Sequence, residues 1–341
     1  MTHATTTLTS SDMDKTTARL GRFWIAQQDL LDEILLPLLS DCAGVVYLDY
    51  PVYSNIGDLL IYLGTEVWFQ KNSLDVRGRW NCYNFHFPPL PKDYGLLLQG
   101  GGNFGDLYVH QAFREQVVAA YPENRVVFLP QTVFFRDPSA LERAGERLNV
   151  HSDLHILLRD HESLETVKKA IPMARARLAP DMAINLYPLE STLGVLSPRS
   201  RRVKRLCLSR TDIEQPEVRR LDAKDCSWIG DWRDLLGLRR YWTLRMWNLA
   251  AHVIVQPRLA ASFHSRWYSR TRTELRLVAA QFCEAEAISA SRLHGHLLAS
   301  LLGIPNEVLD NSYGKNSAYY NTWHQEFTTM AFADLDTYSG F

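Results

Sequence analysis

Apolar positions recur along the chain in two alternating patterns, one typical of helices and one typical of buried strands. The segment RFWIAQQDLLDEILLPLLS spaces its apolar residues three and four apart, which predicts an amphipathic helix. Helix-like segments then separate a series of short apolar runs, namely GVVYLDY, WNCYNFHF, YGLLLQ, RVVFLPQTV and LHILLRD. Because these runs are continuous rather than alternating, they predict a parallel sheet that is covered by helices on both faces.

The pattern lapses into Pro, Ser and Arg near INLYPLESTLGVLSPRSRRVK, which indicates a domain boundary. A second series follows, with predicted strands in RLCLSR, EAISAS and NEVLDN. We therefore predict an α/β protein in which two open, mostly parallel sheets face a cleft, with ligands at the carboxyl ends of the strands. The predicted divisions are a disordered tail at 1–19, an N-terminal domain at 20–195, a C-terminal domain at 196–316, and a helix and tail at 317–341 that pack back on the first domain.

Length and composition agree with a globular protein of two domains. The chain has 341 residues, of which 46% are hydrophobic and 22% charged, with a net charge of −1 and a pI near 6.8. This balance offers no electrostatic reason to expect binding of nucleic acid. No segment approaches the ~18 apolar residues that a membrane span needs, so we expect a cytoplasmic protein with at most a peripheral membrane contact.

The cysteines favour a reducing compartment. Cys42, Cys82, Cys207, Cys226 and Cys283 are odd in number, widely scattered, and contain no C-x-x-C pair. We therefore expect neither a disulfide framework nor a zinc site, as is usual for cytosolic proteins. The first twenty residues are rich in Thr and Ser and lack the apolar centre of a signal peptide, which predicts a disordered tail.

A glycine-rich stretch, YGLLLQGGGNFGDLYVHQAF, matches the spacing G-x-G-x-x-G. A dinucleotide-binding turn belongs in the first strand–helix unit and has an acidic residue at the end of the next strand. Here the glycines follow the third predicted strand, and the next strand ends in FLPQT. With Asp106 as the expected cap of the following helix, we favour a loop in which the backbone at Gly101, Gly102 and Asn103 approaches an anion or a sugar. A tight turn without a ligand is the alternative.

Other polar residues follow the remaining predicted strands of the first half. Asn55 and Asp58 come after the first strand, where they either contact a phosphate or sugar hydroxyl or cap the next helix. Arg159 follows the fifth strand, where it either binds a ligand or forms an ion pair with Asp160. The sequence leaves both pairs of alternatives open.

The second half places cations at its strand ends. Ser209 and Arg210 end one strand, and Arg292 and His294 lie after another, in the first turn of a helix. Two arginines with a neighbouring histidine suit a small dianion that needs a proton transfer, although two ion-paired arginines and a capping histidine would give the same pattern. After the last strand, Tyr313 and Lys315 are further candidates, with Lys315 either a cation in the cleft or an ordinary surface lysine.

These motifs together resemble a known family. NIGD, LLLQGGGNFGDL, FLPQT, LRDHES, APDMA and SRLHGHLLASLLGIP, followed by LDNSYGK, are similar in order and spacing to bacterial polysaccharide pyruvyl transferases of the ketal-forming kind. The similarity extends from Val45 to Trp323. It implies a fold like that of GT-B glycosyltransferases, in which two Rossmann-like domains face a cleft. It differs at Ala290 and Ser291, where the family often has Thr-Asp before Arg-Leu-His.

The resemblance also implies an activity and roles for residues. Pyruvate would pass from phosphoenolpyruvate, the co-substrate, to a sugar of an exopolysaccharide or lipid-linked repeat unit. The family's donor-binding arginines and histidine correspond to Arg210, Arg292 and His294, and we expect His294 to protonate the methylene carbon. This chemistry calls for no metal and no cofactor. We expect the first domain to hold the acceptor or to complete the donor pocket.

Three other functions are consistent with parts of the pattern. A nucleotide-sugar glycosyltransferase would use the same two-domain cleft. A sugar-binding protein without catalytic activity would bind the acceptor and release no phosphate. An NAD-linked oxidoreductase is the weakest alternative, because the carboxylate that would bind the ribose is missing.

Overall fold

The computed structural model describes residues 10–195, 202–212, 214, 226–254, 256–325 and 330–332. The helices are α1 (Ser10–Leu39), α2 (Ile56–Lys71), α3 (His110–Ala120), α4 (Pro138–Leu148), α5 (His161–Ala170), α6 (Leu189–Leu193), α7 (Trp232–Val253), α8 (Pro257–Cys283), α9 (Leu293–Leu301) and α10 (Lys315–Trp323). The strands are β1 (Gly44–Leu48), β2 (Val76–Trp80), β3 (Tyr94–Leu98), β4 (Gly101–Gly105), β5 (Val126–Phe134), β6 (Leu154–Leu158), β7 (Arg175–Leu178), β8 (Val203–Leu208), β9 (Trp228–Gly230), β10 (Ala285–Ala290), β11 (Asn306–Val308) and β12 (Met330–Phe332).

The strands form two sheets, each with helices against it. The first sheet has the order β2-β1-β3-β5-β6-β7, with β4 paired to β5, and the second has the order β12-β11-β10-β8-β9. Every strand pairing in the described part of the chain is parallel. This architecture confirms the predicted α/β class with mostly parallel sheets.

Each sheet has a point where the direction of strand addition reverses. In the first sheet the reversal lies between β1 and β3, and in the second it lies between β8 and β10. The connections that leave two such strands run to opposite faces of the sheet, so a crevice opens at their carboxyl ends. The predicted site residues follow these four strands, apart from Arg159 after β6 and the pair Tyr313 and Lys315 after β11.

One continuous hydrophobic core joins the two sheets. Leu59 of α2, Trp267 of α8 and Leu297 of α9 are fully buried members of the same cluster. In the part around the first sheet, α2 packs so closely on the segment after β7 that a Cβ on Gly64 would lie 2.2 Å from the Met182 carbonyl oxygen. We call the parts around the first and second sheets the first and second lobes. They share this core, and a cleft lies between the carboxyl ends of their strands.

Several predicted elements differ from those observed. The second strand is VRGRW, Val76–Trp80, rather than WNCYNFHF, because aromatic residues of the latter pack in the second core cluster from an irregular segment. Helix α1 begins at Ser10, inside the stretch predicted as a disordered tail at 1–19, whose residues 1–9 lie outside the described part. At the other end α10 reaches the first lobe, where the Trp323 indole donates to the Arg159 carbonyl at 2.8 Å, whereas β12 joins the second sheet.

The glycine-rich stretch forms a strand rather than a loop that opens a helix. Gly101 and Gly105 have φ values of +125° and +156°, and a Cβ on Gly105 would lie 1.7 Å from the Phe134 carbonyl oxygen. Asp106 does not cap a helix, which corrects the prediction, because α3 begins only at His110. Its carboxylate instead accepts hydrogen bonds from the backbone N–H groups of residues 136 and 137.

A disulfide links Cys207 of β8 to Cys226, just before β9. The expectation of a chain without disulfides is therefore wrong, because the parallel pairing of β8 and β9 brings two cysteines 19 positions apart to a Cα separation of 5.8 Å. The cysteines consequently give no support for a reducing compartment. Within the described residues, no helix has the length and apolar character required to cross a bilayer.

Candidate active site

A cleft of about 1050 Å³ lies where the two strand-order reversals face each other. Eight of the predicted site residues line it, four from each lobe: Asn55, Asp58, Gly102, Asn103, Arg210, Arg292, His294 and Lys315. They come from positions far apart in the sequence, and they meet because all of them lie at the carboxyl ends of strands.

The two strand-end arginines of the second lobe converge on one carboxylate. Arg210 follows β8, Arg292 follows β10, and these strands are neighbours. Asp212 bridges them, with its Oδ1 2.6 Å from Nε of Arg210 and its Oδ2 3.0 Å from Nη2 of Arg292. Both guanidinium groups are nearly buried and lie within reach of a single small dianion.

Asp231, at the start of α7, orients Arg292. Its two carboxylate oxygens accept from Nε and Nη2 of Arg292 at 2.5 and 2.6 Å, a bidentate pair. Burial would raise the pKa of the Asp231 carboxyl, but the Arg292 guanidinium outweighs burial and lowers it. Asp231, which follows β9, thus supplies to Arg292 the carboxylate that an aspartate in place of Ser291 could have provided. The Ser291 Oγ instead accepts a hydrogen bond from the Arg210 backbone N–H at 2.8 Å.

The Glu214 carboxylate contacts hydrogen-bond donors and cations from both lobes. Its carboxylate lies 2.7 Å from Nη1 of Arg210 and 3.5 Å from Nζ of Lys315, and it accepts from the hydroxyls of Tyr108 and Tyr313 at 2.9 Å each. Burial opposes ionisation of Glu214, but these cations and donors lower its pKa to about 2. Burial also lowers the pKa of Lys315 to about 8, although Glu214 acts in the opposite direction.

His294 connects the second lobe to a buried ion pair of the first. Its Nε2 donates to Oδ2 of Asp181 at 3.2 Å, and the same oxygen lies 2.5 Å from Nη1 of Arg159. Although Asp181 is fully buried, His294 and Arg159 keep the pKa of its carboxyl well below the usual range. An ionised carboxylate only accepts hydrogen bonds, so Nε2 carries the proton and Nδ1 is left for exchange with a ligand.

Close backbone approach by glycine shapes the wall opposite these cations. A Cβ on Gly102 would lie 2.5 Å from Nζ of Lys315 and 3.4 Å from Nη2 of Arg159. Nη2 of Arg159 is buried and has no hydrogen-bond partner among the described residues. A Cβ on Gly57 would lie 2.9 Å from Nδ1 of His294. Any side chain at either glycine would fill the space around the cationic groups.

Amide and carboxylate side chains complete the wall of the first lobe. Asn55 is the N-cap of α2, where its Oδ1 accepts from the Gly57 N–H at 3.0 Å, and its Nδ2 donates to Asp58 at 2.8 Å. Nδ2 of Asn103 donates to the Tyr53 hydroxyl at 3.2 Å. Asn55 therefore caps a helix and lines the cleft at the same time, so its two predicted roles are compatible.

The other predicted site residues lie behind the cleft surface. The Ser209 backbone N–H bonds to the Gly230 carbonyl, Gly101 pairs with Gln131 in the sheet, and Tyr313 stacks on Phe134 with ring centroids 4.0 Å apart. Arg159 is fully buried and pairs with Asp181 rather than with Asp160, its neighbour in sequence. Asp160 instead caps α5 through the Ser163 N–H.

Sequence reasoning missed a second histidine–carboxylate pair in the first lobe. His110, which lines the cleft, has its Nδ1 2.8 Å from Asp49 at the end of β1. Burial disfavours the charged imidazole, but Asp49 outweighs burial and raises the pKa of His110. Asp49, Cys82 and His110 place potential metal ligands within 4.8 Å of one another. The Arg114 guanidinium, 3.7 Å from Asp49, opposes a divalent cation there.

Comparison with protein families finds one that covers most of the chain. Residues 55–313 match the family described as polysaccharide pyruvyl transferase. This stretch includes α2 and the glycine-rich β4 of the first lobe, and it includes Arg210, Arg292 and His294 of the second. The charged residues that line the cleft therefore lie within the matched segment, apart from Lys315.

Individual proteins are similar over nearly the whole chain. A Bacillus subtilis protein with the provisional name pyruvyl transferase EpsO is 36% identical over 294 residues, covering 85% of this chain and 88% of its own. Pyruvyl transferase 1 of Schizosaccharomyces pombe is 27% identical over 309 residues, covering 87% and 74%. A functionally uncharacterised Klebsiella pneumoniae protein of known crystal structure superposes with a TM-score of 0.60 at 20% identity, covering 90% and 98%, which shows a shared fold.

Proposed function

Because the chain belongs to the polysaccharide pyruvyl transferase family, we propose that its pyruvyl donor is phosphoenolpyruvate and its product a cyclic ketal. The acceptor is a sugar of an exopolysaccharide or lipid-linked repeat unit. One observation carries the proposal: Arg210 and Arg292 share Asp212 at the strand-order reversal of the second sheet, with His294 on the same wall. This arrangement suits a small dianion that must receive a proton.

The donor binds on the wall of the second lobe. Phosphoenolpyruvate carries a carboxylate and a phosphate, and Arg210, Arg292 and Lys315 provide the cations that bind them. Asp212 and Asp231 hold the two guanidinium groups in place before the donor arrives, so little reorganisation accompanies binding. Behind Gly102, the free Nη2 of Arg159 adds positive potential to the same region.

The reaction begins with proton transfer. His294, held by Asp181 through Nε2, donates the proton on Nδ1 to the methylene carbon of phosphoenolpyruvate, and this leaves an oxocarbenium-like centre at C2. One hydroxyl of the acceptor adds to C2, which forms the first C–O bond, and its proton returns to Nδ1 of His294. A second hydroxyl of the same sugar then adds to C2 as the bond to the phosphate oxygen breaks. The phosphate departs with the bonding electron pair and takes up the proton of the second hydroxyl.

The acceptor faces the first lobe in this scheme. Asn55, Asp58 and Asn103 present amide and carboxylate groups that can bind sugar hydroxyls, and Gly102 allows the ring to approach the donor closely. No metal or cofactor takes part in the steps that we propose. We further propose that the protein works on the cytoplasmic side of the membrane, where it would meet a lipid-linked acceptor as a peripheral protein.

The test is an assay of the purified chain with phosphoenolpyruvate and a panel of glucose, galactose and mannose glycosides. We expect acceptor-dependent release of inorganic phosphate, together with a product whose mass has increased by one pyruvyl ketal group. Release of a nucleoside diphosphate from a nucleotide sugar, with no reaction of phosphoenolpyruvate, would identify a glycosyltransferase instead. Acceptor binding without any phosphate release across the panel would contradict the proposed catalysis.

A further inference from the structure

Helix α7 carries an exposed apolar stripe that the proposed reaction does not use. The stripe, which we call the α7 stripe, consists of residues that are between 57% and 75% exposed, namely Leu238, Trp242, Met246, Leu249 and Val253. Their spacing of four, four, three and four places them on one helical face. Over 15 residue steps the stripe is about 22 Å long, at ~1.5 Å of rise per residue.

The α7 stripe lies next to the face of the helix that lines the cleft. At roughly 100° per residue, the stripe covers an arc of about 80°, and Tyr241, Arg245 and Asn248 occupy the adjacent arc. These three residues line the cleft, and the Asn248 amide donates to the Val52 carbonyl at 2.7 Å. The buried face of α7, with Leu244 and Ala251, lies on the far side of this cleft-lining arc. Whatever covers the stripe therefore adjoins the cleft.

Arginines flank the stripe on both sides. Arg245 lies on the edge nearest the cleft and Arg239 on the opposite edge, and both are exposed. The α7 sequence contains four arginines and one acidic residue, Asp234. An exposed apolar face with a tryptophan and arginines at its borders is the pattern of a helix that lies in the interface of an anionic bilayer.

The same charges disfavour a second copy of the chain as the occupant. A twofold interface through the α7 stripe would bring the flanking arginines of one copy close to those of the other, because a symmetric contact uses the same patch twice. With Asp234 as the one acidic residue on the helix, few carboxylates are available to neutralise them. Anionic lipid headgroups provide the opposite charge along the whole length of the stripe.

We propose that the α7 stripe docks the protein onto an anionic lipid bilayer, with the apolar residues in the interface and Arg239 and Arg245 on the headgroups. The helix then lies parallel to the membrane, and the mouth of the cleft opens at the membrane surface. This inference is independent of the proposed reaction, because it rests on the exposure, spacing and charge of α7 alone.

Vesicle flotation of the full chain tests the proposal. We expect the wild-type protein to float with vesicles of phosphatidylcholine and phosphatidylglycerol, and to bind far less to phosphatidylcholine alone. Met246→Glu places a charge in the middle of the stripe, and we expect it to weaken binding roughly tenfold. Arg239→Gln removes one flanking charge, and we expect it to weaken vesicle binding about fivefold. High salt screens this charge, so the difference between the variant and the wild type should disappear there.

Met173→Glu is the matched control, because Met173 is 63% exposed against 62% for Met246 and lies between α5 and β7, at the opposite ends of the strands. We expect it to float like the wild type. An equal loss of vesicle binding in Met246→Glu and Met173→Glu would overturn the proposal, as would a wild-type protein that does not float with the vesicles. So would sedimentation velocity that shows a wild-type dimer and a Met246→Glu monomer. Phosphate release with a soluble acceptor should be unchanged in Met246→Glu, which separates a membrane defect from a catalytic one.

Discussion

The two walls of the cleft present different chemical groups although they lie at equivalent positions of two similar sheets. Each wall lies at a strand-order reversal of a parallel sheet. The wall of the second lobe consists of buried cations that are held by carboxylates, such as Arg292 on Asp231 and Arg210 on Glu214. The wall of the first lobe consists of glycine backbone, the amides of Asn55 and Asn103, the Asp58 carboxylate and the His110 imidazole.

In the reaction that we propose, this difference separates the binding of an anionic donor from the binding of a hydroxyl-bearing acceptor. A cation that is removed from water needs a partner, so Arg210 and Arg292 each have a carboxylate that also fixes the direction of the guanidinium group. Hydroxyl groups need short-range donors and acceptors and space to approach, which amides and glycines provide. His294 and Lys315 connect the two walls, because the former pairs with Asp181 and the latter faces Gly102.

The largest expected effect comes from removing the imidazole that connects the walls. We predict that His294→Ala lowers kcat by about 10²- to 10⁴-fold, because the proton donor is lost while both arginines remain in place. The measurement of kcat is the rate of acceptor-dependent phosphate release at saturating phosphoenolpyruvate. His155→Ala is the control, since His155 also pairs with an aspartate, Asp153, at 2.9 Å but lies in β6 away from the cleft. Comparable turnover in the two variants would exclude His294 as the acid.

A smaller effect is expected from changing the shape but not the charge of an anchor on the second-lobe wall. We predict that Arg292→Lys raises KM for phosphoenolpyruvate by about 10- to 100-fold, because lysine cannot reproduce the bidentate contact with Asp231. Arg205→Lys, on the same sheet but paired with Glu307 outside the cleft, should leave KM unchanged. A normal KM in Arg292→Lys would show that the donor binds elsewhere.

The smallest predicted effect concerns the lysine that faces the glycine wall. Burial lowers the pKa of Lys315 to about 8, so its charge is present below that pH and is lost as the pH rises through it. We predict that kcat/KM for phosphoenolpyruvate falls several-fold between about pH 7 and pH 9 in the wild type. In Lys315→Arg the guanidinium stays charged, so this fall should disappear from the pH profile. An identical decline in both proteins would assign the titration to another group.

Much of the fold was predictable because apolar runs and strand-end residues are local signals. The strands that precede Arg210 and Arg292 each end in three buried residues, LCL in β8 and ISA in β10, and an apolar helical segment follows Arg292, so the cationic positions could be predicted from the sequence. The half-exposed β2, with its sequence VRGRW, and the three-residue β9 and β12 offer too few apolar positions to be recognised.

The partners of the predicted residues were harder to find than the residues themselves. Asp231 is the N-cap of α7 and Asp181 belongs to the APDMA stretch, but no local pattern indicates which side chains these two carboxylates contact. Both become visible only when strand order brings them beside Arg292 and His294. The exposed face of α7 was equally hard to predict, because the spacing of apolar residues cannot distinguish a stripe that packs on a core from one that remains uncovered.

The shared core of the two lobes has a consequence for how substrates come and go. Enzymes made of two separately folded bodies can admit a substrate by swinging apart on a hinge. Here Leu59, Trp267 and Leu297 belong to one buried cluster, and Trp323 fastens α10 to the first lobe. A large rotation of one lobe relative to the other would have to disrupt this buried cluster. Entry and exit must therefore rely on side chains and surface segments at the rim, with the distance between donor and acceptor held nearly constant throughout each catalytic cycle.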